Sequence, residues 1–246
     1  MSVPAATGSS VDAVTTVAVV PRRRRFYTGI ALAIAITVFA GFAPTYYLRT
    51  YYQSTPLGGL RHLHGVVFTA WVLLFLIQTT LIPAGRVALH RRVGVGGAIL
   101  AALMVAVGTT TAIVQTSEGR SPLGVPPLSF LAVPFFDMVV FTGLAATGLW
   151  HRRRADTHKR LLTLATISLL AAPIARLPFG APVVGLLGVF AMADLFIVAC
   201  IAYDLVTLRR VHPATVWGGL AIVISQPLRL AISGTGLWLG FARWLT

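Results

Sequence analysis

Side chains able to do chemistry are few in this chain, and the informative ones interrupt apolar stretches. Asp137 and Asp194 lie near the middle of two such stretches, with Arg176 and Arg229 toward the ends of two others. A carboxyl group in hydrocarbon is either protonated or paired, because an isolated charge there pays a large desolvation cost. Two readings stay open for this set: a buried Asp and Arg pair that fixes helix packing, or a proton or ligand site of the kind intramembrane ionisable residues commonly form. Asp204 lies closer to the end of its stretch and near Arg209, so a local ion pair is enough for it. Pro227, two residues before Arg229, frees a backbone carbonyl beside that cation.

The histidines pose a second question. His62 and His64 open one apolar stretch, and His64, Phe68, Trp71, Phe75 and Gln78 follow at spacings of three and four, which puts them along one helix face. His62 and His64 diverge in a regular helix, so they share a metal ion only if the first turn unwinds or another ligand joins them; otherwise both meet interfacial water. His90, His151, His158 and His212 fall at the opposite helix ends. Neutral imidazole ligates haem iron and transition metals, which invites a cofactor reading of these four. Their neighbours are Arg, Lys or Pro, which argues for solvated imidazoles in the headgroup zone. Cys200 is alone, so it offers neither an intrachain disulfide nor a thiolate cluster and reads as a small buried hydrophobe. No phosphate loop, zinc-protease, nucleophile-elbow or haem-attachment motif is present, so no catalytic activity is indicated.

The elements that hold these residues are membrane helices. The 246 residues are 57% hydrophobic and 11% charged, and mean hydropathy is +0.83, far more apolar than a soluble domain. Seven stretches near the roughly 20 residues a bilayer requires are expected as helices, at about 26–47, 61–82, 93–115, 126–150, 158–177, 183–208 and 215–237. Pro173 is expected to kink the fifth, and Asp156 or Thr157 to cap its start. Residues 1–21 read as a disordered cytoplasmic tail, and 22–246 as one all-α transmembrane domain. The net charge of +14 would point to nucleic acid in a soluble chain. Here Arg22 to Arg25, Arg86, Arg91, Arg92, Arg152 to Arg154, Lys159, Arg160, Arg209 and Arg210 cluster in short loops on one side. That asymmetry predicts a cytoplasmic N-terminus, an outer C-terminus and contact with anionic lipid, without nucleic acid.

A resemblance adds to this reading. His62-x-His64-Gly65, Trp71, Gln78, Gly85-Arg86, Leu89-His90-Arg91 and Gly94, followed by Asp156-x-His158-Lys159-Arg160, resemble a group of uncharacterised bacterial multi-pass membrane proteins. More distantly the pattern is similar to the histidine-bearing helices of b-type cytochromes and of membrane factors for terminal oxidase assembly. The resemblance implies His64, His90 and His158 as haem or metal contacts, with haem b or copper as cofactor. The expected function is a haem- or copper-related accessory or electron-transfer protein of the respiratory cytoplasmic membrane, with a respiratory-complex or homo-oligomeric partner. The alternative is a proton-coupled or small-molecule transporter centred on Asp137, Asp194 and Arg229.

Overall fold

A computed structural model describes residues 25–122 and 124–246, all in helices, turns and connecting loops. The tail expected over 1–21, and Arg22 to Arg24, lie outside the described residues. Apolar sequence sets the elements. Helix α1 (Phe26–Phe42) runs into a π-helical turn (Ala43–Tyr47) at Pro44, and α2 (Gly59–Leu81) and α3 (Val87–Ser117) form a hairpin. A short α4 (Pro127–Phe130) leads into α5 (Ala132–Trp150), followed by α6 (Ala155–Ile167), α7 (Ala171–Ile174), α8 (Ala181–Leu208), α9 (Pro213–Ser233) and α10 (Gly236–Leu245).

Six segments are long and apolar enough to cross a membrane: Phe26–Tyr47, Gly59–Leu81, Val87–Ser117, Pro127–Trp150, Ala181–Leu208 and Pro213–Ser233. Their outward positions carry Ile36, Leu73, Ile77, Ile99, Leu195 and Val206, all exposed. Apolar surface on this scale needs hydrocarbon as its solvent. The protein is a multi-pass, all-helical membrane protein.

The fifth stretch is interrupted near the Pro173 expected to kink it, and as a full break rather than a bend. It is broken into α6 and α7, with tight bonds from Leu169 N to Thr166 O and from Leu170 N to Ile167 O between them. Pro173 has no N–H for the Leu169 carbonyl, which explains the break. Helix α6 is also the least lipid-like segment because it packs in the interior, against α5, α9, α1 and α8. Its buried Thr163 and Thr166 donate back to the Lys159 and Leu162 carbonyls at 2.7 and 2.9 Å, and Ser168 donates to Ala165 O at 2.8 Å. A helix surrounded by protein tolerates hydroxyls that a lipid-facing one would not. Neither Asp156 nor Thr157 caps it: Arg154 holds the cap position without a side-chain bond, and Asp156 lies in the first turn, bonded to Lys159 at 2.5 Å.

Close backbone approach ties α7 to α1. A Cβ at Gly41 would lie 2.2 Å from the Pro173 carbonyl oxygen. The α2–α3 turn relies on Gly85 at φ +72°, a conformation that favours glycine, and α3 then starts at Val87, before the His90 to Arg92 cluster rather than after it. At the C-terminus the expected single helix to residue 237 ends instead at Ser233. Thr235 caps a new helix, α10, by accepting from Trp238 N at 3.3 Å. Trp238 then packs with Phe135, Phe136 and Phe241 and donates its ring N–H to Leu128 O at 2.9 Å.

The bundle therefore has two chemically distinct ends. Arg86, Arg91, Arg92, Arg152 to Arg154, Lys159, Arg160, Arg209 and Arg210 lie in or beside the turns joining α2 to α3, α5 to α6 and α8 to α9. Tyr46, Tyr47, Tyr51 and Tyr52 mark the opposite end, where α1 connects to α2.

Candidate functional site

One face of α9, marked by Ile222, Ser225, Gln226 and Arg229, carries the central polar cluster, and this spacing puts all four on one side. The Arg229 guanidinium has every one of its three nitrogens engaged. Its Nη1 donates to Asp137 Oδ1 of α5 and to Val133 O at 3.3 Å, Nε donates to Ser225 O at 3.1 Å, and Nη2 donates to Ser225 Oγ at 2.8 Å. The Phe190 ring of α8 lies 5.5 Å beneath its charge. Three residues back along α9, Gln226 donates to Asp194 Oδ1 of α8 at 2.8 Å. Asp137 thus meets Arg229, and Asp194 meets an amide. Among the described residues no cation pairs with Asp194. A cavity of about 10 Å³ touches Asp137, Ser168, Gln226 and Arg229, room for about one water molecule.

Arg176 does not join this cluster. It donates to Ala172 O at 2.6 Å and lies over the Phe42 ring, near the end of α1. Asp204 also finds a different partner from the expected Arg209. Arg160 of α6 reaches it through Nε at 3.0 and 3.2 Å, Thr215 Oγ1 donates at 2.6 Å, and His212 N donates at 3.2 Å. Both Arg160 and Asp204 are buried. Sequence proximity pointed to Arg209, but Arg209 is the left-handed residue closing α8, and the ion pair is made with Arg160 instead. His212 plays a structural part, since its Nδ1 accepts from Ala214 N at 3.1 Å and caps α9. Burial pushes its imidazole below the ordinary histidine range, in keeping with the neutral ring that this bond requires.

The remaining histidines divide between the ends. His62 is exposed beside Tyr46, with ring centres 5.7 Å apart, while His64 stacks on Phe68 at 4.0 Å. The two rings take different neighbours, as their spacing in a regular helix requires. Among the described residues, His64 Nδ1 is buried without a hydrogen-bond partner. At the basic end the ring centres of His90 and His158 are 6.3 Å apart, so α3 and α6 bring these two together. Gln78 adjoins His90, donating to its backbone carbonyl at 3.2 Å. Trp71 and Phe75 are buried, as the helix face predicted, and Trp71 donates to Thr166 Oγ1 at 3.3 Å. His151 stays near solvent, bonded to Thr147 O. Among the described residues no three His, Cys, Asp or Glu side chains gather as a metal-ligand set, and Cys200 is a free, buried thiol.

Sequence reasoning missed Ser225, Gln226, Arg160 and Thr215. The signal available for the first two was their spacing to Arg229 along one helix. Comparison with known proteins adds no family: no family model, curated protein or solved structure matches this chain.

Proposed function

We propose that the protein is a proton-coupled or small-molecule transporter of the cytoplasmic membrane, working through Asp194, Gln226, Arg229 and Asp137. The observation that carries this reading is the bond from Gln226 to Asp194 beside the buried Arg229–Asp137 pair, with Gln226 and Arg229 on one face of α9. The ion pair is charge-balanced and fixes α9 against α5. Asp194 has an amide and no counter-cation among the described residues, so it can gain and release a proton without breaking the ion pair. Pro227 lies between Gln226 and Arg229 and leaves the Val223 carbonyl without its usual donor, a point at which α9 can bend. In this reading α6 and α7 together make a seventh crossing, the basic end faces the cytoplasm and anionic lipid, and the C-terminus lies outside.

The test is proton flux into proteoliposomes loaded with a pH-sensitive dye and energised by a potassium gradient. Asp194→Asn is expected to lower flux at least about tenfold, equivalent to about 1.4 kcal/mol on the barrier, with the thermal transition of the purified protein retained. Unchanged flux in a folded Asp194→Asn protein would remove the proposal.

A second reading, a haem- or copper-related accessory or electron-transfer protein, is favoured by the meeting of His90 with His158. It predicts a Soret band or bound copper in the purified protein. His64, at the other end of α2, would take no part in the same centre.

A further inference from the structure

Three helices bring ligand-type side chains to the basic end of the bundle. Gln78 comes from α2, His90 from α3 and His158 from α6. His158 Nδ1 lies 2.8 Å from the Gly148 carbonyl oxygen. A carbonyl only accepts, so Nδ1 carries a proton, and in the neutral ring the Nε2 lone pair is the one that can ligate. This is the arrangement in which a backbone carbonyl orients a metal-binding imidazole from behind. The second ring supplies an independent sign: among the described residues His90 Nδ1 is buried with no hydrogen-bond partner, and so is Gln78 Oε1. Buried polar atoms left unpaired are costly and ask for an occupant. The Gln78 amide is held nearby by its own bond to His90 O, and its nitrogen lies 3.4 Å from where a Cβ on Gly94 would sit.

We propose that His90, His158 and Gln78 form a site for one divalent first-row transition-metal ion of the kind imidazole prefers, zinc or copper. With metal–nitrogen bonds of about 2.0 Å, two imidazoles on one ion have ring centres roughly 5 to 6.5 Å apart, depending on the bond angle. The observed 6.3 Å is the spacing of two trans imidazoles, and a tetrahedral ion would draw the rings about 1 Å closer together. Imidazole nitrogen suits zinc and copper, and the amide oxygen completes a mixed set that leaves a position for water or an exchanging ligand. Arg91 stands next to His90 and opposes cation binding, which favours weak, exchangeable binding over a permanent structural ion. The inference is independent of proton transport through Asp194, which involves none of these residues.

The test uses the full-length protein in detergent, stripped with chelator and dialysed against Zn(II) or Cu(II). About one equivalent is expected to bind, and the Cu(II) form should show nitrogen splitting in its paramagnetic resonance spectrum. His90→Ala and His158→Ala should each weaken binding at least about tenfold, the scale on which even supporting groups of a metal site act. Gln78→Leu should weaken it less, and the His62→Ala, His64→Ala double variant should bind as the parent does. His90→Gln, which keeps the bulk and a polar group, guards against a variant that merely misfolds; its thermal transition should match the parent while metal is lost. Three results would each overturn the inference: no retained metal in the parent protein, equal binding by folded His90→Gln, or a His158-dependent Soret band, which would make haem iron the occupant.

Discussion

The Arg229 guanidinium has each of its three nitrogens engaged, two of them within its own helix through Ser225. Removing one partner leaves a charge in a site built for two. Asp137→Asn and Arg229→Met are each expected to lower stability by about 3 to 5 kcal/mol, the scale for breaking a buried pair. The double change Asp137→Leu, Arg229→Met should recover most of that loss, since apolar replacement of both partners is often close to neutral. Thermal unfolding in detergent checks both; additive losses in the double variant would contradict the pairing. Asp194 should behave differently. Its replacement by Asn keeps an acceptor for Gln226 and removes no ion pair, so stability should change little while transport falls.

At the scale of elements, caps and breaks decide where helices lie, and of these only the break at Pro173 was visible in the sequence. The apolar runs near 61–82 and 183–208 place α2 and α8 to within a few residues, because hydropathy is a sum over many positions. The divisions between α6 and α7 and between α9 and α10 depend on single residues, Pro173 and Thr235, whose effect is local. Helix α9 offers a pH test. His212 caps it as a neutral acceptor, and its folded pKa is lowered from 6.5 by burial. The unfolded chain then takes up a proton first as pH falls, so stability is full above about pH 6.5 and declines below it, until the folded ring also protonates. His212→Asn, which keeps a capping oxygen and does not titrate, should show a flatter Tm profile between about pH 7 and 5. Parallel profiles would mean that His212 does not link α9 to pH.

For the whole molecule, the membrane class was legible from composition, since 57% hydrophobic residues in long runs admit little else. The pairings were not. Asp137 with Arg229, Asp204 with Arg160 and His90 with His158 join residues separated by 92, 44 and 68 positions. Such partners follow from how helices are arranged around α6, and hydropathy says nothing about that arrangement. The set Asp137, Asp194, Arg176 and Arg229 was therefore recognised as a source of a buried ion pair, while which members meet emerged only from the packed bundle.

The interior position of α6 also bears on how the protein is made. With Thr163, Thr166, Ser168 and the charges of Asp156, Lys159 and Arg160, this segment gains little by entering lipid alone. It has to wait for covers, and α9, which supplies Thr215 beside the Arg160–Asp204 pair, is synthesised last among its neighbours. Nascent chains cut before residue 213 should leave α6 accessible to aqueous cysteine-labelling reagents, whereas chains extended past α9 should protect it. Equal protection at both lengths would show that α6 enters the bilayer unaided. The order of synthesis thus makes α9 the step that commits this bundle to its final form.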